Sequence, residues 1–179
     1  MSVPRATVQQ TLRQGAVYYL PQWWLKNGLP HFFIVMNEDP KRDTITLAYV
    51  VTSQVEKVEE RIRLRCRPEE TLVHIHKGTS IARFDKRFVF DKPSIVDCNS
   101  CIDFSRSEFE AAMKQSVSSY AGQFGDDVIE RLKKGSNVSP VLTDATKRAM
   151  GAFNLKPQSK VTSRFKTTIR VSPLPNSKE

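Results

Sequence analysis

The chain has 179 residues, 39% hydrophobic and 26% charged, a composition that excludes a disordered chain; it is long enough to bury a core without disulfides or metal. Twenty-eight Lys and Arg against 19 Asp and Glu give a net charge of +9, which favours polyanionic partners but does not specify a fold. Three cysteines are too few, and odd in number, for a disulfide framework. The first fifteen residues lack the apolar stretch of a secretory signal, and Phe32 to Met36 and Leu47 to Val51 are too short to cross a bilayer, so a soluble, cytoplasmic protein without membrane contact is expected.

Taken in order, Val17 to Leu20 follows Gly15 and stops at Pro21, and Phe32 to Met36 stops at Asn37-Glu38-Asp39-Pro40, a turn signal. Thr44 to Val51 is β-branched and apolar, placed to form a hairpin with the strand before it. Arg61 to Cys66, Leu72 to Ile75, Phe88 to Phe90 and Ile95-Val96 read as further short strands, separated by Pro68, Gly78 and Pro93. Short, closely spaced strands with Gly and Pro between them predict a small curled, mostly antiparallel sheet or barrel over residues 1–104.

Near Ser105 the period changes. Ser105 and Glu108 form a capping box, and Phe109, Ala112, Met113, Val117 and Tyr120 fall on one helical face behind it. Asp126 is placed to cap a second helix carrying Ile129 and Leu132, with Gly135 as its C′ residue. A further turn or two is expected from Pro140 to Met150, ended by Gly151. The fold class is therefore α+β: a β-barrel domain over 1–104, a helical section over 105–153 and a basic tail over 154–179. In that tail Val161, Phe165, Ile169 and Val171 interleave with Arg164, Lys166 and Arg170, the pattern of a strand, of a segment ordering on a partner, or of a frayed end.

Read as a strand, Glu60 to Arg67 sends Ile62, Leu64 and Cys66 inward and Arg61, Arg63, Arg65 and Arg67 outward. Guanidinium groups repeating every ~6.7 Å repel one another unless anions lie against them, and Arg grips phosphate bidentately. A single-stranded nucleic acid along that face is one reading. A solvated face paired with Glu56, Glu59, Glu60, Glu69 and Glu70 is the other.

The motifs of other chemistries are missing. Neither phosphate-cradling glycine loop occurs, nor do the sequence patterns of zinc proteases or of serine hydrolases on an α/β fold. Cys98 and Cys101 have C-x-x-C spacing, and Cys66, His74 and His76 are the residues available to complete a metal tetrad, but one such pair alone is a weak signal. No metal and no cofactor are expected. Tyr18, Tyr19, Trp23, Trp24, Phe32 and Phe33 gather aromatics around the first loop, suited either to stacking on bases or to capping the core.

Three segments in order carry a resemblance: Gly15-Ala16-Val17-Tyr18-Tyr19, Leu29-Pro30-His31-Phe32-Phe33-Ile34-Val35-Met36, and Val50-Val51-Thr52-Ser53-Gln54. Over about residues 13–104 the chain resembles the PemK/MazF-like group of SH3-like barrels, which includes endoribonuclease toxins of toxin–antitoxin pairs. The resemblance implies an SH3-like barrel that binds single-stranded RNA, with Thr52 and Ser53 matching the family's threonine–serine pair. It also implies metal-independent cleavage, with His31 or Lys26 in the catalytic set, and makes an antitoxin and a second copy the candidate protein partners. Family toxins carry arginine before the proline that opens the second strand, whereas this chain has Leu29 before Pro30. A barrel module that binds nucleic acid or protein without catalysis is the alternative.

Overall fold

The computed structural model describes residues 10–21, 30–82, 87–115 and 120–153. The elements in chain order are β1 (Ala16–Pro21), β2 (Pro30–Val35), β3 (Ile45–Thr52), α1 (Val55–Leu64), a 3₁₀ turn (Glu69–Thr71), β4 (Leu72–Ile75), β5 (Ser80–Ala82), β6 (Arg87–Val89), β7 (Ser94–Ser105), α2 (Arg106–Gln115), β8 (Tyr120–Gln123), α3 (Asp126–Val138) and α4 (Asp144–Ala149). The strands form one sheet in the order β4-β7-β3-β2-β1-β8-β5-β6, and every neighbouring pair is antiparallel. The fold is α+β, as expected.

Connectivity forces this sheet to curl. Laid flat, β4 and β5 would stand six strand spacings apart, about 29 Å, yet the five residues from Ile75 to Ser80 span at most ~17 Å. The two ends of the sheet must therefore approach each other, and Ile75 and Ile81 share a buried cluster with Val17, Ile34, Tyr49 and Val96 from the middle. A tight turn makes the join: Gly78, at φ +90°, donates its N–H to the Phe90 carbonyl at 2.8 Å, and the Phe90 N–H reaches the Thr79 carbonyl at 3.0 Å.

Both faces of the central strands are covered, which is why they read as apolar runs rather than as alternating ones. On one face Val17, Ile34, Leu47, Tyr49 and Val51 meet Val128, Ile129 and Leu132 of α3. On the other, Ala16, Tyr18, Leu20, Phe33, Val35 and Ala48 meet Phe109, Ala112 and Met113 of α2. The expected capping box starts α2: the Ser105 N–H donates to Glu108 Oε2 at 2.8 Å, and the Glu108 N–H donates to Ser105 Oγ at 3.3 Å.

Three expectations need correction. The segment holding Arg61, Arg63 and Arg65 is not a strand but the last turn and end of α1. Ile62 is buried at 1%, as either reading requires, but Leu64, which a strand would send inward, is 74% exposed, and Cys66 is exposed too. The inward residues are Val58 and Ile62, four apart on one helical stripe, with Glu56 in the first turn and Arg61 and Arg63 in the last, as the helix dipole favours. Cys66, at φ +49°, terminates the helix while the Arg67 N–H bonds back to the Ile62 carbonyl. Second, Tyr120 belongs to β8 rather than to the α2 face, and β8 inserts beside β1. Third, α3 differs at both ends: its N-cap is Gly125, with no side-chain cap and Asp126 as the first helical residue, and Gly135 is not a C′ residue but lies inside the helix, pressed against Cys98. Val117 and residues 154–179 lie outside the described residues.

Candidate functional site

The register of three strands builds the site. Tyr19 of β1 pairs with Phe32 of β2, and Phe32 pairs with Val51 of β3, so one row of side chains crosses the sheet. One step beyond that last pair, continuing the register brings His31 level with Thr52 at the end of β3, and both border the groove. Here β3 ends, the chain turns through Ser53 and Gln54, and α1 begins at Val55. The opposite wall comes from far along the sequence, from Phe88 and Phe90 to Asp91, Lys92 and Ser94, because the curl of the sheet carries that segment over the β2–β3 end. The result is a groove of about 270 Å³ lined by Tyr19, His31, Phe32, Thr52, Ser53 and Gln54 from the sheet and the turn after β3, and by Phe88, Phe90, Asp91 and Lys92 from the segment folded over them.

Its apolar wall is a ring cluster. Phe32 lies 4.9 Å from Tyr19, 5.0 Å from Phe88 and 5.5 Å from Phe90, centroid to centroid. Tyr19, 38% exposed, is the member of that cluster most open to solvent, and it presents a flat ring to the groove. On the polar side the Gln54 N–H donates to Thr52 Oγ1 at 3.2 Å. A hydroxyl that accepts from its own backbone still has its proton to donate, and the turn holds Thr52 at the N-terminal end of α1, where helical N–H groups and the dipole favour negative charge.

The structure thus brings His31, Thr52 and Ser53 together. Lys26 and Leu29 lie outside the described residues, as do Trp23 and Trp24. The arginines stand elsewhere. Arg61 and Arg63, two apart on a helix, project to opposite sides. Arg61 Nη2 binds Asp97 Oδ2 at 3.1 Å. Arg63 lines a separate cleft with Glu59, Glu69 and His74. Arg65 and Arg67 follow at the C-terminal end of α1, about 15 Å along the helix from Ser53. None of the four lines the groove.

Reasoning from the sequence missed Asp91, Lys92 and Phe88. Asp91 reads as an ordinary surface charge, and nothing local signals that this segment folds over the end of β3. The cysteines are not grouped as ligands. Cys98 is buried with its thiol pushed up by desolvation, and burial raises Cys101 to about 12, while Cys66 sits exposed beyond α1. Among the described residues no three of His, Cys, Asp or Glu are close enough to hold a metal ion, and no helix is long and apolar enough to cross a membrane.

The fold and groove together define an α+β protein with a ligand-sized cleft at the open end of a curled antiparallel sheet. No protein-family model and no curated protein matches the chain. Among solved structures, one described as an endoribonuclease in complex with its cognate antitoxin, from a mycobacterial species, is similar at a TM-score of 0.41 and 10% identity, over 70% of this chain and 91% of that one. The functional reading therefore rests on the groove.

Proposed function

We propose that this protein is a toxin-like RNA-binding protein whose groove holds single-stranded RNA and cleaves it without metal. The observation that carries the reading is the convergence of His31, Thr52, Ser53 and Lys92 on one cleft beside an aromatic wall. In this reading bases stack on Tyr19 and Phe88, and the phosphate lies between the hydroxyl pair and Lys92. His31 takes the proton of the ribose 2′-hydroxyl, and the 2′-oxygen forms its bond to phosphorus as the bond to the 5′-oxygen breaks. The leaving oxygen is protonated by water. Thr52 and Ser53 donate to the non-bridging oxygens as charge builds there. Because the nucleophile is the 2′-hydroxyl, the substrate is RNA rather than DNA. Lys26 and the arginines of α1 supply further positive charge along the strand, and an antitoxin protein and a second copy are the protein partners of this reading.

The purified protein in EDTA should cut a mixed-sequence RNA and leave 2′,3′-cyclic phosphate ends. His31→Ala should slow cutting by about 10²- to 10⁴-fold while leaving RNA binding, read by fluorescence anisotropy, nearly unchanged. A specific observation favours the second reading, a binding module without catalysis: Leu29 stands where family toxins carry arginine, and among the described groove residues Lys92, the single fixed cation, is adjacent to Asp91. Binding without cutting would select that module; neither binding nor cutting would overturn both.

A further inference from the structure

A second cleft, larger than the first and acidic where the first pairs one Lys with one Asp, lies on the α3 side of the sheet. It measures about 530 Å³, and its floor is the β3–β7 ladder where Leu47 pairs with Asp103 and Tyr49 with Cys101. Its other wall is the loop through Val141 and Leu142 together with α4. Elsewhere this sheet face is sealed by α3, but here Ile45 remains 46% exposed and Val141 48% exposed. Two carboxylates, Asp43 and Asp103, border the apolar floor, and no Lys or Arg is among the lining residues. Asp43 accepts a hydrogen bond from Asn37 Nδ2, and neither carboxylate is ion-paired to a cation among the described residues. On a protein of net charge +9, an unpaired acidic pair beside exposed aliphatic groups is suited to a ligand that alternates cationic and apolar side chains.

The chain itself carries such a segment. Residues 161–171 read Val-Thr-Ser-Arg-Phe-Lys-Thr-Thr-Ile-Arg-Val, with Val161, Phe165, Ile169 and Val171 set among Arg164, Lys166 and Arg170. The described residues end at Phe153, four past Ala149 of the cleft wall, and the eight residues to Val161 reach up to about 28 Å, enough to return along the cleft. We propose that residues 161–171 of the same chain seat in this cleft as an extended segment, with the apolar side chains on Ile45, Leu47 and Val141 and the cations at Asp43 and Asp103. The occupied cleft leaves the His31–Thr52 groove free, since the two share no lining residue.

Chymotryptic cleavage after Phe165, followed by mass spectrometry and expressed relative to a free peptide of residues 158–172, tests this on the full chain. The wild-type ratio should lie well below one, and Asp43→Asn with Asp103→Asn should raise it about fivefold, the worth of two solvent-accessible ion pairs. Arg164→Gln with Lys166→Gln, measured against its own peptide, should raise it similarly and leaves the described fold untouched if Asp43 proves needed for folding. A ratio near one in the wild type overturns the proposal. So does protection that survives both double variants, which would place the segment elsewhere. Protection that vanishes on dilution overturns docking within one chain in favour of a second copy.

Discussion

Asp97 is buried on β7, yet its carboxylate is fully engaged. Oδ1 accepts from the Asn99 N–H and from Asn99 Nδ2, each at 2.9 Å; Oδ2 accepts from Ser100 Oγ at 2.8 Å and Arg61 Nη2 at 3.1 Å. Asn99 extends the network to Thr71 and Ser139, so one carboxylate ties α1, the 3₁₀ turn and the loop after α3 to the sheet. Removing it strands several buried donors at once, and Asp97→Ala should cost about 3 kcal/mol, discounted for the partial exposure of Arg61. Arg63→Ala, on the other side of the helix, should stay within about 0.5 kcal/mol. Urea melts of the two variants check this; equal losses, or none from Asp97→Ala, would contradict the assigned role. The contrast separates the helix from the arginine ladder expected of a strand, in which Arg61 and Arg63 are equivalent.

Helix α3 seals the sheet by close approach at Gly135. A methyl group there would come within 2.8 Å of Cys98 Sγ, buried in the core, and 3.1 Å of the backbone carbonyl of Glu70 in the 3₁₀ turn. Alanine gains about 1 kcal/mol of helix propensity over glycine, but overpacking a tight site costs about 1–3 kcal/mol, so Gly135→Ala should be destabilising by up to about 2 kcal/mol. A rise in the urea midpoint would show slack between helix and sheet. This contact also explains what was legible at the scale of elements. Strands β1 to β3 and the cap of α2 announce themselves through apolar runs and punctuation a few residues away. Gly135 announces a helix end by the same local logic, yet its reason is Cys98, 37 positions earlier. The stretch after Glu60 failed similarly: Ile62 fits both a period of two and one of 3.6, and only the partner of Arg61 and the exposure of Leu64 decide. Within the groove, His31, Thr52 and Ser53 are visible because they flank readable strand ends, whereas Phe88, Asp91 and Lys92 arrive through the curl.

That curl is a property of the whole molecule, and the groove depends on it. The turn at Gly78 joins the two ends of the sheet and fixes Phe90 through a hydrogen bond, and Phe90 with Phe88 forms the far wall opposite His31 and Thr52. No atom outside the immediate chain neighbours lies within 4 Å of the position a side chain at residue 78 would take, so substitution there acts through the backbone alone. A β-branched residue at φ +90° costs about 1–2 kcal/mol, whereas asparagine tolerates positive φ better. Gly78→Val should therefore lower stability by about that much and also weaken RNA binding, because relaxing the turn moves the aromatic wall, with Asp91 and Lys92 that follow it, while leaving His31, Thr52 and Ser53 in place. Gly78→Asn should do less of both. Urea melts paired with anisotropy titrations of a short single-stranded RNA, run at a temperature where both variants remain folded, measure the two effects separately. If stability falls while affinity holds, the turn closes the sheet without shaping the groove, and the aromatic wall is held by its own ring packing instead.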